Sequence, residues 1–297
     1  MVKYIIVTPA KNEAKYIEQT IHSIKKQILQ PEKWIIVNDG SSDETQEIVE
    51  RHMADYDRIV LVNKKKTSAK RRRGQGVVEA FYEGYNLCAN VDHNYLVKLD
   101  SDLLLDADYF KKIFERFERD PKLGIASGVS YIERGGSWVP ESDQTKGFTF
   151  GESKVYRRQC LQDIGGLVPH MGWDGIDHIK AVMLGWKASS FVDVIFYHLR
   201  HEGSGTGLIK SSYEEGLCCH FMGYHPLFFI ARCLNAMRGF PRGFPFAVRG
   251  FAMFAGYVVS IIKRKERLSD RQLITFLRKK QIQRLLLRSN EFIVNED

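Results

Sequence analysis

The tripeptide Asp100-Ser101-Asp102 closes an apolar run, Tyr95-Leu96-Val97-Lys98-Leu99, and precedes Leu103-Leu104-Leu105-Asp106. Two carboxylates flanking one residue can hold a hard divalent cation, Mg²⁺ or Mn²⁺, which then bridges diphosphate oxygens. Alone the pattern is weak, because acids also gather at helix N-termini for electrostatic reasons. Two further acids follow short apolar runs: Glu13 in Thr8-Pro9-Ala10-Lys11-Asn12-Glu13, and Asp39 in Val37-Asn38-Asp39-Gly40-Ser41-Ser42. Carboxylates at strand ends can accept hydrogen bonds from a base N–H and from ribose hydroxyls. Asp39-Gly40-Ser41-Ser42 is also an ordinary turn and helix cap. The basic run Lys70-Arg71-Arg72-Arg73 either neutralises a diphosphate or lies in solvent. Later come Asp174 and Asp177 in Gly172-Trp173-Asp174-Gly175-Ile176-Asp177, and His198 in Phe196-Tyr197-His198-Leu199-Arg200-His201. Helix capping accounts for the acids in the plainest reading, and a lone histidine is more often structural than a ligand.

The elements that must position these residues alternate between short β-rich runs and amphipathic helical patterns, which predicts a parallel sheet covered by helices. Tyr4–Val7 reads as a strand; Ile17, Ile21, Ile24 and Ile28 recur at helical spacing; Trp34–Val37 is the next strand. Ser41 with Glu44 has the spacing of a capping box for a helix carrying Ile48, Val49 and Met53, and Ile59–Val62 follows as a third strand. Val77, Val78, Phe81, Tyr85 and Cys88 line a helix, and the strand Tyr95–Leu99 delivers Asp100. Phe110, Ile113, Phe114 and Phe117 mark another helix before a strand at Ile125–Val129. Beyond Gly135 a Gly- and Trp-containing stretch leads to helices expected near Ser153–Leu161 and Asp177–Leu184, and the acceptor side of a site is expected there. From Tyr213 the texture becomes aromatic and basic, a helical appendage.

Composition is that of a folded chain: 297 residues, 44% hydrophobic and 12% aromatic, with a net charge of +8. The five cysteines contain no Cys-x-x-Cys pair, which predicts reduced thiols in a cytoplasmic compartment. The run Gly250–Ile262 falls short of the roughly 20 apolar residues that span a bilayer. Aromatic residues beside Arg232, Arg238, Arg242 and Arg249 instead suit lodging at the interface, peripheral at the inner face of a membrane. A helical hairpin packed as ordinary core is the alternative.

The order of motifs, Thr8 to Glu13, then Val37 to Thr45, then Asp100-Ser101-Asp102, resembles the family 2 glycosyltransferases of the GT-A fold. The resemblance implies an α/β architecture, a mixed and mostly parallel sheet flanked by helices, over about residues 1–210. A nucleotide half would span about 1–105 and an acceptor half about 106–210, with a helical, membrane-associating region at 211–297. It implies an inverting, Mn²⁺- or Mg²⁺-dependent sugar transfer from a nucleoside-diphosphate sugar to a carbohydrate or lipid-linked acceptor. Thr8, Pro9, Ala10 and Glu13 would line the nucleotide pocket and Asp39 would contact the base. Arg73, Lys98, Asp100 and Ser101 would lie about the ribose and diphosphate, while Asp102 and His198 would hold the metal. Gly-Trp-Asp-Gly-Ile-Asp looks like the family's Glu-Asp motif, whose aspartate is the general base. Ile176 stands where the motif has Glu, so Asp177 or Asp174 fills the role, and Asp177 is preferred.

Other classes fit less well. There is no Gly-x-Gly-x-x-Gly after the first strand for a dinucleotide and no Gly-x-x-x-x-Gly-Lys-Ser/Thr for a phosphate-loop hydrolase. Nucleic-acid binding explains the charge but not the strand-end acids. A sugar nucleotidyltransferase shares the acidic site but normally has a Gly-rich N-terminal loop, and a non-catalytic sugar-nucleotide-binding protein is a third reading.

Overall fold

A computed structural model describes residues 2–64, 74–141, 148–200, 207–238 and 245–287. The chain divides into two compact units between Arg200 and His201, where the sequence places the division near residue 210.

The first unit is an α/β sandwich. Its elements run β1 (Tyr4–Ala10), α1 (Ile17–Lys25), β2 (Lys33–Asn38), α2 (Thr45–Met53), β3 (Ile59–Asn63), α3 (Gln75–Cys88), β4 (Tyr95–Leu99), β5 (Leu103–Leu105), α4 (Tyr109–Arg119), β6 (Leu123–Arg134), β7 (Ser137–Pro140), β8 (Ser153–Arg157), α5 (Arg158–Asp163), α6 (Trp173–Met183) and β9 (Lys187–His198). Nine strands form one sheet in the order β3-β2-β1-β4-β8-β6-β9-β5, with β7 paired to β6. The strands β3, β2, β1 and β4 are parallel, as expected for strands joined by helical crossovers. β8 then enters antiparallel between β4 and β6. All four parallel strands therefore end at the same edge, where Ala10, Asn38 and Leu99 deliver the loops that carry the acids.

The sheet's central strands are apolar on both faces because helices cover both. Tyr4, Trp34, Phe110, Phe114 and Phe117 pack on one side, with the Tyr4 ring 4.8 Å from that of Phe114. On the other side Gly84 of α3 lies against Val7, Val37 and Ile35, so close that a Cβ would stand 2.8 Å from two valine methyls.

Two local expectations are corrected. Ser153–Leu161 is a strand followed by a short helix, not one helix. Ser41 does not cap α2, which starts later, at Thr45, and no side chain caps it from Glu44. Instead Ser41 Oγ accepts the Asn12 N–H at 3.0 Å, and Asp43 accepts from the Thr45 hydroxyl at 2.5 Å and the Ala14 N–H at 3.1 Å.

The second unit contains α7 (Leu208–Phe221), α8 (Pro226–Arg238), α9 (Pro245–Ile262) and α10 (Arg271–Leu287). α7 and α9 cross through reciprocal glycines. A Cβ on Gly216 would stand 2.0 Å from the Met253 carbonyl oxygen, and one on Gly256 would stand 2.1 Å from that of Tyr213. Only residues without side chains let two helical backbones approach so closely. Among the described residues no helix is long and apolar enough to cross a membrane.

Candidate active site

The Asp-Ser-Asp loop is pinned from beneath by Thr20 of α1. Its buried hydroxyl donates to the Ser101 carbonyl at 2.9 Å and accepts the Leu103 N–H at 3.1 Å. Ser101 itself is 3% exposed, so it shapes the loop with its backbone and offers no free hydroxyl to a ligand. Asp100 is partly exposed, and Lys98 Nζ donates to its Oδ1 at 2.5 Å and to the Gly151 carbonyl at 2.7 Å.

Asp102 faces the opposite way, toward β9. The pairing of Leu103 with His198 brings the imidazole over the Asp102 carboxylate, with Nε2 3.6 Å from Oδ2. Arg200, two residues on, sets its Nε 3.3 Å from the same oxygen and donates from its other end to buried Glu13. Glu141 accepts from His198 Nδ1 at 3.1 Å and from the Ser130 hydroxyl at 2.5 Å. Burial alone would push the His198 pKa down. The Asp102 and Glu141 carboxylates outweigh it and raise the group to about 11, an imidazolium held between two acids.

The loops after β1 and β2 interlock. Asn12 adopts a left-handed backbone (φ 55°), its N–H donating to Ser41 and its side-chain oxygen accepting the Ser42 N–H at 2.8 Å. Gly40 (φ 69°) makes the turn that leaves Asp39 at the surface, where Lys11 and Lys64 each stand 3.5 Å from one of its oxygens. Thr8 and Glu13 behave differently from expectation. Thr8 is fully buried and accepts the Trp34 indole N–H at 2.9 Å; Glu13 is fully buried beneath Arg200. Both brace the loops rather than present side chains to a ligand. Pro9 is partly exposed, while Ala10 is buried and its carbonyl accepts the Asp39 N–H at 2.8 Å. Arg73 lies outside the described residues.

The two later aspartates have opposite environments. Asp177 is 1% exposed and saturated: Lys154 Nζ donates to Oδ1 at 2.7 Å, the His178 N–H donates to the same oxygen at 2.5 Å, and the Tyr156 hydroxyl donates to Oδ2. Burial lifts its pKa to about 6 against the pull of Lys154 and Tyr156. Lys154 is itself wholly buried, so Asp177 serves as its counter-charge inside the fold. Asp174, one turn earlier, is partly exposed, and its side chain lies against Gly151, where an added Cβ would stand 3.2 Å from Oδ2. The expectation that Asp177 meets an acceptor is at odds with this burial.

One row of side chains joins the two halves of the site. Lys98 and Lys154 are direct cross-strand partners, a repulsive pairing unless each is compensated. Each has its own aspartate, Asp100 and Asp177, and both ammonium groups lie over the Trp173 ring, at 5.2 and 5.5 Å from its centre. Lys154 also donates to the Asp174 carbonyl at 2.5 Å.

The glycosyl transferase family 2 model matches residues 5–173, which takes in the loops carrying Glu13, Asp39, Asp100 and Asp102 and ends before Asp174, Asp177 and His198. The chain belongs to that family. Among curated proteins it is similar to the poly-beta-1,6-N-acetyl-D-glucosamine synthase of Staphylococcus aureus strain COL, 30% identical over 213 residues, 72% of this chain and 44% of that one. The corresponding Staphylococcus epidermidis synthase is 31% identical over 210 residues, 64% of this chain and 46% of that one. The chain thus spans less than half the length of these relatives. Among solved structures, the fold resembles a Pyrobaculum calidifontis mannosyltransferase in complex with GDP-Man and Mn²⁺ (TM-score 0.55, 18% identity, 95% of this chain and 80% of that one). It also resembles residues 1–349 of S. aureus TarS in complex with UDP-GlcNAc (TM-score 0.55, 17% identity, 95% and 81%).

Within this family 2 chain, Glu141, Arg200, Thr20 and Lys154 are the site residues that sequence reasoning missed. Arg200 alone left a signal, standing two residues after His198 and so on the same side of an extended chain.

Proposed function

We propose that the chain transfers a sugar from a nucleoside-diphosphate sugar to a carbohydrate hydroxyl with inversion, in the assembly of a polysaccharide or glycolipid. The observation that carries this is the approach of two differently prepared carboxylates to one glycine. Lys98 links Asp100 to the Gly151 carbonyl, and Asp174 lies against the Gly151 α-carbon. A donor held at Asp100 and an acceptor deprotonated at Asp174 then meet over Gly151, where any side chain would intrude. The relatives that polymerise N-acetylglucosamine and the neighbours holding UDP-GlcNAc or GDP-Man support a nucleotide-sugar donor.

The donor set at Asp102 and His198, a carboxylate oxygen and an imidazole nitrogen 3.6 Å apart, would suit Mn²⁺ or Mg²⁺ once Nε2 gives up the proton that the two neighbouring carboxylates favour, Glu141 still accepting from Nδ1. Among the described residues no three His, Cys, Asp or Glu side chains form a complete metal cage. Diphosphate oxygens and water would supply the remaining ligands, as is usual for Mg²⁺ at phosphate sites. Held there, a cation would supply charge neutralisation to the departing diphosphate. The protein's own steps are separate from it. Asp39 accepts from the base, Asp100 orients the sugar-bearing end, Asp174 takes the proton from the acceptor hydroxyl, and the Lys98–Trp173–Lys154 row fixes the two carboxylates relative to each other. A thermal-shift screen of nucleotide sugars with and without Mn²⁺, followed by NMR assignment of the anomeric configuration of the product, tests the reading. Retention of configuration, or no nucleotide sugar that stabilises the protein, would overturn it.

The second unit supports association with a membrane surface. α9 exposes Phe251, Phe254, Ile261 and Ile262 along one side, and α8 exposes Leu227, Ile230 and Leu234 at helical spacing. Lys263, Arg264, Lys265 and Arg267, all exposed, follow α9 directly. Apolar stripes ending in cations suit the headgroup boundary of an anionic bilayer, at about 1 kcal/mol per basic residue. Sedimentation with anionic but not neutral vesicles, reversed by high salt, is expected. Equal indifference to both vesicle types would remove this part of the reading.

A further inference from the structure

The β6–β7 hairpin carries a group of aromatic side chains that the transfer reaction does not use. Trp138 is 40% exposed, and its ring centre lies 4.8 Å from that of Tyr197, with the planes at 62°. Tyr131 stands 6.5 Å from Tyr197 at 65°, and both tyrosines are partly exposed. The register accounts for the grouping. Tyr131 pairs with Tyr197 across β6 and β9, while Trp138 pairs with Glu133 across the hairpin, so the three rings and the exposed Glu133 carboxylate share one face of the sheet.

That face is the one bearing Asp174. Gly128 backs onto Tyr109 of α4, Ala126 belongs to the same core as α4, and Ser130 pairs with Phe196, whose ring meets Tyr109. In this stretch of β6, Ser127, Val129 and Tyr131 therefore face the opposite way, with the register against β9 shifting between Ser127 and Val129. Ser127 pairs with Lys154, and Lys154 with Lys98, the row that Trp173 covers. Four residues of extended chain separate Ser127 from Tyr131, about 13 Å at 3.3 Å per residue. An occupant of the aromatic group would therefore lie on the acceptor side of the sheet, one short oligosaccharide away from the carboxylate proposed as base.

We infer that Trp138, Tyr131 and Tyr197 form a distal acceptor subsite that binds an upstream ring of a carbohydrate chain whose terminal hydroxyl is being extended. The inference rests on the glycosyl-transfer reading above. Rings tilted at about 60° to one another occupy at most one face each in their mutual contact, which leaves electron-rich faces for the electropositive C–H bonds of a pyranose. Glu133 beside Trp138 supplies an acceptor for the sugar's hydroxyls. An apolar protein segment would not need that carboxylate, and a nucleic acid would be repelled by it.

The test is titration of the full chain with N-acetylglucosamine and mannose, each as monosaccharide and as tetrasaccharide, followed by saturation-transfer NMR and tryptophan fluorescence. One tetrasaccharide is expected to bind about 5- to 10-fold more tightly than its monosaccharide, the range that an added aromatic contact provides. Trp138→Ala should erase that gain while Trp138→Phe keeps most of it. In both variants the thermal shift produced by the nucleotide sugar with Mn²⁺ should match that of the parent. A parent that binds each tetrasaccharide no better than its monosaccharide, or a Trp138→Ala variant that retains the gain, overturns the subsite. Loss of the nucleotide-sugar shift in the parent would instead remove the transfer reading itself.

Discussion

Asp174 and Asp177 lie one helical turn apart, and exchanging each for asparagine should damage different properties. Asp177→Asn removes the charge facing Lys154, which is fully buried. An uncompensated buried charge costs about 3–5 kcal/mol. For a unit of this size each kcal/mol corresponds to about 2–4 °C, so the melting temperature should fall by roughly 6–20 °C. Asp174→Asn touches a partly exposed side chain whose backbone carbonyl, not its carboxylate, accepts from Lys154. Its melting temperature should stay within about 2 °C, consistent with a surface change of less than 0.5 kcal/mol. Turnover should behave in reverse: Asp174→Asn loses about 10²- to 10⁴-fold in kcat with donor KM unchanged, as removal of a general base predicts. A third variant sharpens the comparison. Lys154→Met combined with Asp177→Asn removes both charges while the amide still accepts from Tyr156, and should recover most of the stability lost in the single variant. Differential scanning fluorimetry and a coupled nucleotide-release assay with acceptor present read the two properties separately. An Asp177→Asn protein that melts like the parent yet turns over nothing, beside an active Asp174→Asn protein, would refute the assignment.

Asp102→Asn should abolish Mn²⁺-stimulated turnover at every Mn²⁺ concentration, because the amide loses the charge that holds a cation; activity restored at saturating Mn²⁺ would argue against a metal role. Thr20→Val keeps the shape of the buried side chain but strips the hydrogen bonds to Ser101 and Leu103, so a stability loss of about 1–3 kcal/mol in urea unfolding is expected, with a raised donor KM. An unchanged unfolding midpoint would show that the clamp is dispensable. Gly256→Ala drives a methyl into the Tyr213 carbonyl and should separate α7 from α9, at about 1–3 kcal/mol or more. Limited proteolysis should then cut within residues 207–287 faster than in the parent while the first unit stays resistant.

The parallel half of the sheet was legible because its helices are one-sided. Phe110, Ile113, Phe114 and Phe117 repeat at the period of a helix against a sheet, and the strands between are apolar throughout. β8 was read as helix for a physical reason. Ser153-Lys154-Val155-Tyr156-Arg157 contains charges that suit a solvated helical face, whereas Lys154 is buried against an aspartate 23 residues later, a compensation that no local pattern reveals. The same long-range pairing decided between Asp174 and Asp177. Both sit in the first turns of α6 with equal claims from spacing, and only the arrival of Lys154 and Tyr156 from β8 shows which one is sealed. Asp100, Asp102 and His198 could be singled out from sequence because strand ends gather them. Glu141 could not, since it follows a hairpin with ordinary turn composition.

The bond between Glu13 and Arg200 joins residues 187 positions apart, the first loop of the domain to the segment just after its last strand. During synthesis at about 5–20 residues per second, Glu13 is made roughly 10–40 seconds before its partner emerges. In that interval β1, β2, β3 and β4 can pair through local crossovers, but the Arg200 guanidinium that lies over the buried Glu13 carboxylate is still missing. The loop after β1 is therefore completed late although it is translated first. Ribosome-bound chains that stop before residue 200 are expected to bind nucleotide sugar more weakly than the full chain even with Asp39 and Asp100 present, because the Glu13–Arg200 contact forms in a single late event after β9 docks.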